Sequence, residues 1–196
     1  MNPISTSKWG KNIKIDKDDI MAINYYQCPE CEARETGRII RGDPSSGAHQ
    51  RSRMPDYRCS NCGNEWTKEE SVDYSYRRIK VLEATVGGYS SGDTKVTINF
   101  ERNFAKWEHG ILNPMEIHYA RFGPSDMERI RNELKSVNLL DWKRSYHDSI
   151  ILDGTQWEIV IHKSGRNLYK SGSNMYPREW EAFCRLMKKI TSREFG

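Results

Sequence analysis

Cys28-Pro29-Glu30-Cys31 and Cys59-Ser60-Asn61-Cys62-Gly63 are the stretches that decide how the first third of this chain folds. Each C-x-x-C turn can aim two thiolates at one point, and two such turns satisfy a tetrahedral cation. Between the pairs lie 27 residues, Glu32 to Arg58, enough for a β-hairpin arm between two metal knuckles. Gly63 stands where a turn around a metal wants a residue free of Cβ clashes, and Trp66 offers a large side chain for packing. The expected ligands are Cys28, Cys31, Cys59 and Cys62, holding one structural Zn2+. A redox pair requires a βαβ pattern beside one C-x-x-C, and none is visible. A disulfide framework requires a secreted chain, and the N-terminus does not read as a cleaved signal. Iron in the same thiolate cage, or an oxidised pair, is what the pattern leaves open.

At 196 residues the chain has room for a small module and one medium domain. The module needs its metal, because so few residues bury too little apolar surface alone. The expected division is a polar lead-in over 1–24, a zinc ribbon over 25–68, a linker around Lys68 to Ser71, and an α+β domain over 72–196. Mean hydropathy is −0.84, and no apolar run approaches the ~20 residues that cross a bilayer. A cytoplasmic, non-membrane protein is therefore expected, since C-x-x-C thiols stay reduced inside the cell.

Residues 26–68 resemble a known module. Tyr26-Gln27-Cys28-Pro29-Glu30-Cys31, followed by Tyr57-Arg58-Cys59-Ser60-Asn61-Cys62-Gly63-Asn64-Glu65-Trp66, is similar to the zinc ribbon of transcription elongation factor S and of small RNA polymerase subunits. The likeness covers about a fifth of the chain and implies a zinc-bound, three-stranded ribbon. That family carries an adjacent Asp-Glu pair at its hairpin tip. Here the arm reads Arg41-Gly42-Asp43-Pro44-Ser45-Ser46-Gly47-Ala48-His49-Gln50-Arg51, without such a pair, so stimulation of transcript cleavage is not implied. Glu32 also replaces the usual glycine of the first knuckle.

Net charge is +4, with arginines gathered on the ribbon and just after it. Arg38, Arg41, Arg51 and Arg53 sit on the arm and its approaches, and Arg77 and Arg78 follow beside Tyr74 and Tyr76, a set that suits phosphates and stacked bases. The competing reading is a hairpin whose arginines only keep it solvated.

Beyond the ribbon, alternation marks a strand from Ile79 to Val86, a glycine-rich turn, and a second strand through Val96, Ile98 and Phe100. Met115 to Phe122 reads as a third strand. Ser125 and Glu128 suggest a capping box ahead of a helix with Met127, Ile130, Leu134 and Val137 on one face. A hairpin through Trp157, Ile159 and Ile161 follows, returning at Asn167 to Lys170. Pro177 then suits the first position of a last helix. The expected order is β-β-β-α-β-β-α: an antiparallel sheet with two helices on one face. Asp153-Gly154-Thr155-Gln156-Trp157 and Gly172-Ser173-Asn174-Met175-Tyr176-Pro177 resemble an uncharacterised family of bacterial and phage-borne proteins, a likeness that implies no activity.

Catalytic groupings are sparse. His147-Asp148 with Asp153 places a base near carboxylates, but no nucleophile stands at a recognised spacing. Cys184 reads as a core residue. Trp107 lies in a polar stretch and, if exposed, would mark an interface. The expectation is a non-enzymatic binding protein that engages nucleic acid, or a nucleic-acid-processing machine, through a basic hairpin. The alternatives are a phage or mobile-element protein that inhibits a host protein, and an enzyme using His147, Asp148 and Asp153.

Overall fold

Alternating apolar residues on β4 (Ile79–Gly88), β5 (Gly92–Asn99), β6 (Phe104–Gly110) and β9 (Gln156–Lys163) build the centre of a seven-stranded sheet. The computed structural model describes residues 23–34, 36–39, 54–88, 92–111, 116–147 and 154–196. Its strand order is β7-β6-β5-β4-β9-β10-β8, with β7 at Glu116–Arg121, β8 at Ser145–His147 and β10 at Asn167–Ser173. Leu82, Ala84, Val96, Ile98, Ala105, Trp107, Trp157, Ile159 and Ile161 all point to one side, as period two demands. Helices α2 (Pro124–Ser136) and α3 (Trp180–Thr191) cover that side with Met127, Ile130, Leu134, Phe183 and Met187. The fold is α+β, as expected, and both predicted helices lie on one face.

Several details differ from the sequence reading. The large sheet is mixed, because the short β8 runs parallel to β10, pairing Ser171 with Ser145. Neither β8 nor β6 was expected: β6 buries only Ala105 and Trp107 among polar neighbours. Trp107 is therefore core, 7% exposed, and its indole donates to the Glu194 carbonyl at 2.8 Å. Helix α2 starts at Pro124 rather than being capped by Ser125; the Asp126 carboxylate accepts the Gly123 N–H at 3.3 Å. Helix α3 begins three residues after Pro177, whose carbonyl accepts the Trp180 N–H.

Where a linker was expected, the chain forms helix α1, Lys68–Arg77. Thr67 caps it: its hydroxyl accepts the Glu70 N–H at 3.1 Å, and the Glu70 carboxylate accepts the Thr67 N–H at 2.7 Å. Its inward residues are Ser71, Tyr74, Ser75 and Tyr76, too polar to register as an apolar stripe. Ile23, the first described residue, is buried in the large core. Among the described residues no helix is long and apolar enough to cross a membrane.

The opposite side of the sheet carries polar and scattered apolar side chains. Across it Glu83 is held between Lys95 and His162, the latter at 3.0 Å, and Lys106 pairs with Glu108 at 2.7 Å. The Lys95 ammonium, and then His162, lower the Glu83 carboxyl against the opposing effect of its partial burial.

The turns around Thr155 and Asn174 meet at one corner. Thr155 and Asn174 exchange hydrogen bonds, with the Thr155 N–H on Asn174 Oδ1 and the Asn174 N–H on the Thr155 carbonyl, each 3.0 Å. Trp157 Nε1 donates to the Met175 carbonyl at 2.9 Å. Gly172 lets that indole lie flat on the backbone: a Cβ there would sit 2.3 Å from Trp157 Nε1. Gly172→Ala should therefore cost about 2 kcal/mol, the scale of an overpacked core site. Urea denaturation of the two proteins measures it.

Candidate metal centre

The two cysteine pairs form knuckles with the same hydrogen-bond pattern. In the first, the Glu32 N–H bonds the Cys28 carbonyl and the Cys28 N–H bonds the Ala33 carbonyl, both at 3.0 Å. In the second, the Gly63 N–H bonds the Cys59 carbonyl at 3.0 Å and the Cys59 N–H bonds the Asn64 carbonyl at 2.8 Å. β1 (Thr36–Arg38), β2 (Tyr57–Cys59) and β3 (Glu65–Trp66) join the knuckles in a three-stranded antiparallel sheet. Cys28 and Cys59 are buried with Tyr57 and Trp66 in a small separate core, while Cys31 and Cys62 lie at the surface.

All four Sγ atoms lie within 4.8 Å of one another. Cys28 and Cys62 sulfurs are 3.7 Å apart, and those of Cys31 and Cys59 are 3.6 Å apart. A tetrahedron with metal–sulfur bonds of ~2.3 Å has an edge of about 3.75 Å. The cluster therefore fits one tetrahedral metal ion. None of these cysteines is in a disulfide.

Its electrostatics also suit a cation. The Ala33 backbone N–H and then the Asn61 amide, 3.6 Å from the sulfur, hold the Cys31 thiol down at about 6. At Cys62 the Asn64 backbone N–H acts to lower the thiol, yet the crowd of neighbouring sulfurs, Cys31 foremost, pushes it up to about 12. Four sulfurs this close cannot all ionise unless a positive ion neutralises them. Asn64 Nδ2 lies 3.9 Å from Cys28 Sγ. These two asparagines, both on the second knuckle and each donating to a sulfur of the first, were not singled out in the sequence; their closeness to Cys62 is the only signal they give.

Glu32 explains the missing glycine. Its φ is +60°, matching Gly63 at +75° in the other knuckle, so a side chain occupies the left-handed region at a cost of roughly 1–2 kcal/mol. The Glu32 carboxylate accepts the Tyr74 hydroxyl at 3.0 Å and pairs with Arg78 at 3.1 Å. Arg78 also donates to the Tyr74 hydroxyl at 2.7 Å and to the Ser164 carbonyl at 2.9 Å. One guanidinium thus joins the first knuckle, α1 and the end of β9. Nearby, the Trp66 indole donates to Ser71 Oγ at 2.9 Å, and Asp56 Oδ2 accepts the Lys68 N–H.

The other expected partner-binding arginines divide. Arg38, at the end of β1, and Arg77, in the last turn of α1, are exposed. Arg78 is committed to the contacts above, with its side chain 17% exposed. Arg41, Arg51 and Arg53 lie outside the described residues. His147 is exposed on β8 and bridges Asn174, whereas Asp148 and Asp153 lie outside the described residues. Clefts of about 380 and 410 Å3 flank Tyr76, one between α1 and α2, and His147 lines neither.

Two outcomes follow from this geometry. The reduced chain should bind one metal ion, and a strong chelator should shift Trp66 fluorescence while far-UV circular dichroism retains most of the sheet signal; Trp66→Phe identifies the responding indole. Replacing Glu32 by Gly relieves the backbone but removes the carboxylate. Ribbon amides should then exchange hydrogen several-fold faster than those of β4, with metal stoichiometry unchanged. No protein-family model matches the sequence, and no curated protein matches it.

Proposed function

We propose that this chain is a non-enzymatic, cytoplasmic binding protein in which one structural zinc ion folds a ribbon that presents a basic arm to nucleic acid or to a nucleic-acid-processing machine. Zinc is the metal that best suits four thiolates in a closed tetrahedral cage without a vacant ligand position. The observation that carries the reading is where the arm leaves the ribbon. β1 and β2 run antiparallel with Arg38 opposite Tyr57, and the Ile39 N–H bonds the Asp56 carbonyl at 2.8 Å. The intervening chain, which bears Arg41, Arg51 and Arg53, therefore departs from and returns to one end of the metal-held ribbon, beside exposed Arg38. On the broad open face of the sheet, by contrast, Lys95 and Lys106 are paired with Glu83 and Glu108. Arg38 stands exposed at that end of the ribbon, and phosphates are the groups such arginines bind best.

The test is fluorescence anisotropy of zinc-loaded protein against single-stranded DNA, duplex DNA and RNA at several salt concentrations. Binding should weaken steeply with salt, by a log–log slope of about 0.7–0.9 per phosphate contacted. The Arg51→Glu, Arg53→Glu double variant should lower both affinity and slope. Unchanged affinity in that variant, or no binding at low salt, would overturn the nucleic-acid reading and direct the search to a host protein bound by the same arm.

A further inference from the structure

Strand β7 ends the large sheet, and among the described residues no strand pairs with its outer side. The directions of its backbone groups follow from one bond. The Phe122 N–H donates to the Asn103 carbonyl at 3.0 Å, continuing the register Phe104↔Arg121 and Ala105↔Ala120. Even-numbered residues thus bond inward to β6. By the alternation of antiparallel ladders, Ile117, Tyr119 and Arg121 aim their N–H and C=O groups outward.

Natural edges are blunted by proline, by charged side chains with lysine foremost, by bulges, by brevity or by a covering segment, and on β7 charge stands at the two ends, Glu116 and Arg121. β7 has six residues, Glu116-Ile117-His118-Tyr119-Ala120-Arg121, with neither proline nor lysine and no register shift against β6. Two of its open-face side chains are large and exposed, Ile117 at 46% and Tyr119 at 67%. The helix-covered side carries charge: Glu116 lies 3.8 Å from His118 Nε2, and Arg193 reaches His118 Nδ1 at 3.3 Å.

We infer that β7 pairs antiparallel with β7 of a second copy of this chain, about a two-fold axis through His118. A two-fold perpendicular to the sheet keeps the faces aligned, so only residues of like parity can stand opposite. Centred on His118, the register places Ile117 against the second copy's Tyr119, and the reverse, as hydrogen-bonded pairs. Each is a β-branched residue against an aromatic ring, a favourable cross-strand combination. On the other face the two His118 rings, each beside its own Arg193, meet at the axis, and a Glu116 from each chain lies diagonal to the second copy's His118, so two carboxylates flank the cationic pair. One strand supplies the backbone donors, the apolar pairs and the charge match, and the result is a continuous sheet through two chains. This association is independent of whatever the ribbon arm binds.

Sedimentation of the zinc-loaded full chain over a concentration series tests the pairing. A monomer–dimer equilibrium is expected, weakened roughly tenfold or more in the Ile117→Lys, Tyr119→Lys double variant, whose side chains are exposed and whose circular dichroism should be unchanged. Under mild oxidation His118→Cys should yield a covalent dimer, because position 118 faces itself in a non-hydrogen-bonded pair, whereas Arg121→Cys should not. A wild-type chain that stays monomeric at about 0.5 mM overturns the inference. So does a double-lysine variant that dimerises as the wild type does, or crosslinking at 121 in preference to 118.

Discussion

Four sulfurs brought within 4.8 Å of one another set the central constraint on the N-terminal part of this protein. Thiolates repel at that distance, and the amides of Asn61 and Asn64 relieve only part of the charge. A metal ion converts the repulsion into the force that closes both knuckles. Among the described residues Tyr57 and Trp66, with the buried Cys28 and Cys59 and the partly buried Tyr25 and Ala33, make the apolar core of the ribbon, little to hold three short strands without a metal ion.

From the first knuckle the constraint passes into the larger domain. Glu32 keeps a left-handed backbone that a glycine would adopt freely, and in return its carboxylate engages Tyr74 and Arg78. Arg78 is only partly exposed, so this contact is worth more than a typical surface ion pair and less than a buried one. Further up, Arg131 donates to the carbonyls of Tyr76 and Ile79, both at 2.9 Å, and lies 4.2 Å over the Phe100 ring. The short passage from α1 into β4 is thus held from both sides, by Arg78 and by Arg131.

What the sequence made legible was whatever repeats with a clear period or spacing. The C-x-x-C pairs named the four cysteines that converge, strict alternation named β4, β5 and β9, and a 3.6-residue stripe named α2 and α3. Hidden elements lacked such a signal. Helix α1 buries serines and tyrosine hydroxyls that find partners, so its inner face looks polar. Strand β6 buries only Ala105 and Trp107, between partly exposed neighbours. β8 is three residues long and pairs in parallel, through contacts distant in sequence. Arg78, grouped by sequence with the arginines expected to meet a partner, turned out to be a tie between elements, because a carboxylate 46 positions earlier reaches it.

The position of β4 has a consequence for the order in which the protein is assembled. Its partners on one side, β5 to β7, follow directly in sequence and can form as a meander while the chain is still emerging from the ribosome. On the other side Leu82 waits for Ile161, which is made 79 residues later. Until then a ten-residue strand in the middle of the future sheet has an open flank. All four cysteines of the two knuckles are made before that interval begins, since Cys62 precedes β4. The two knuckles can therefore close on a metal ion while the slow, long-range step is still to come.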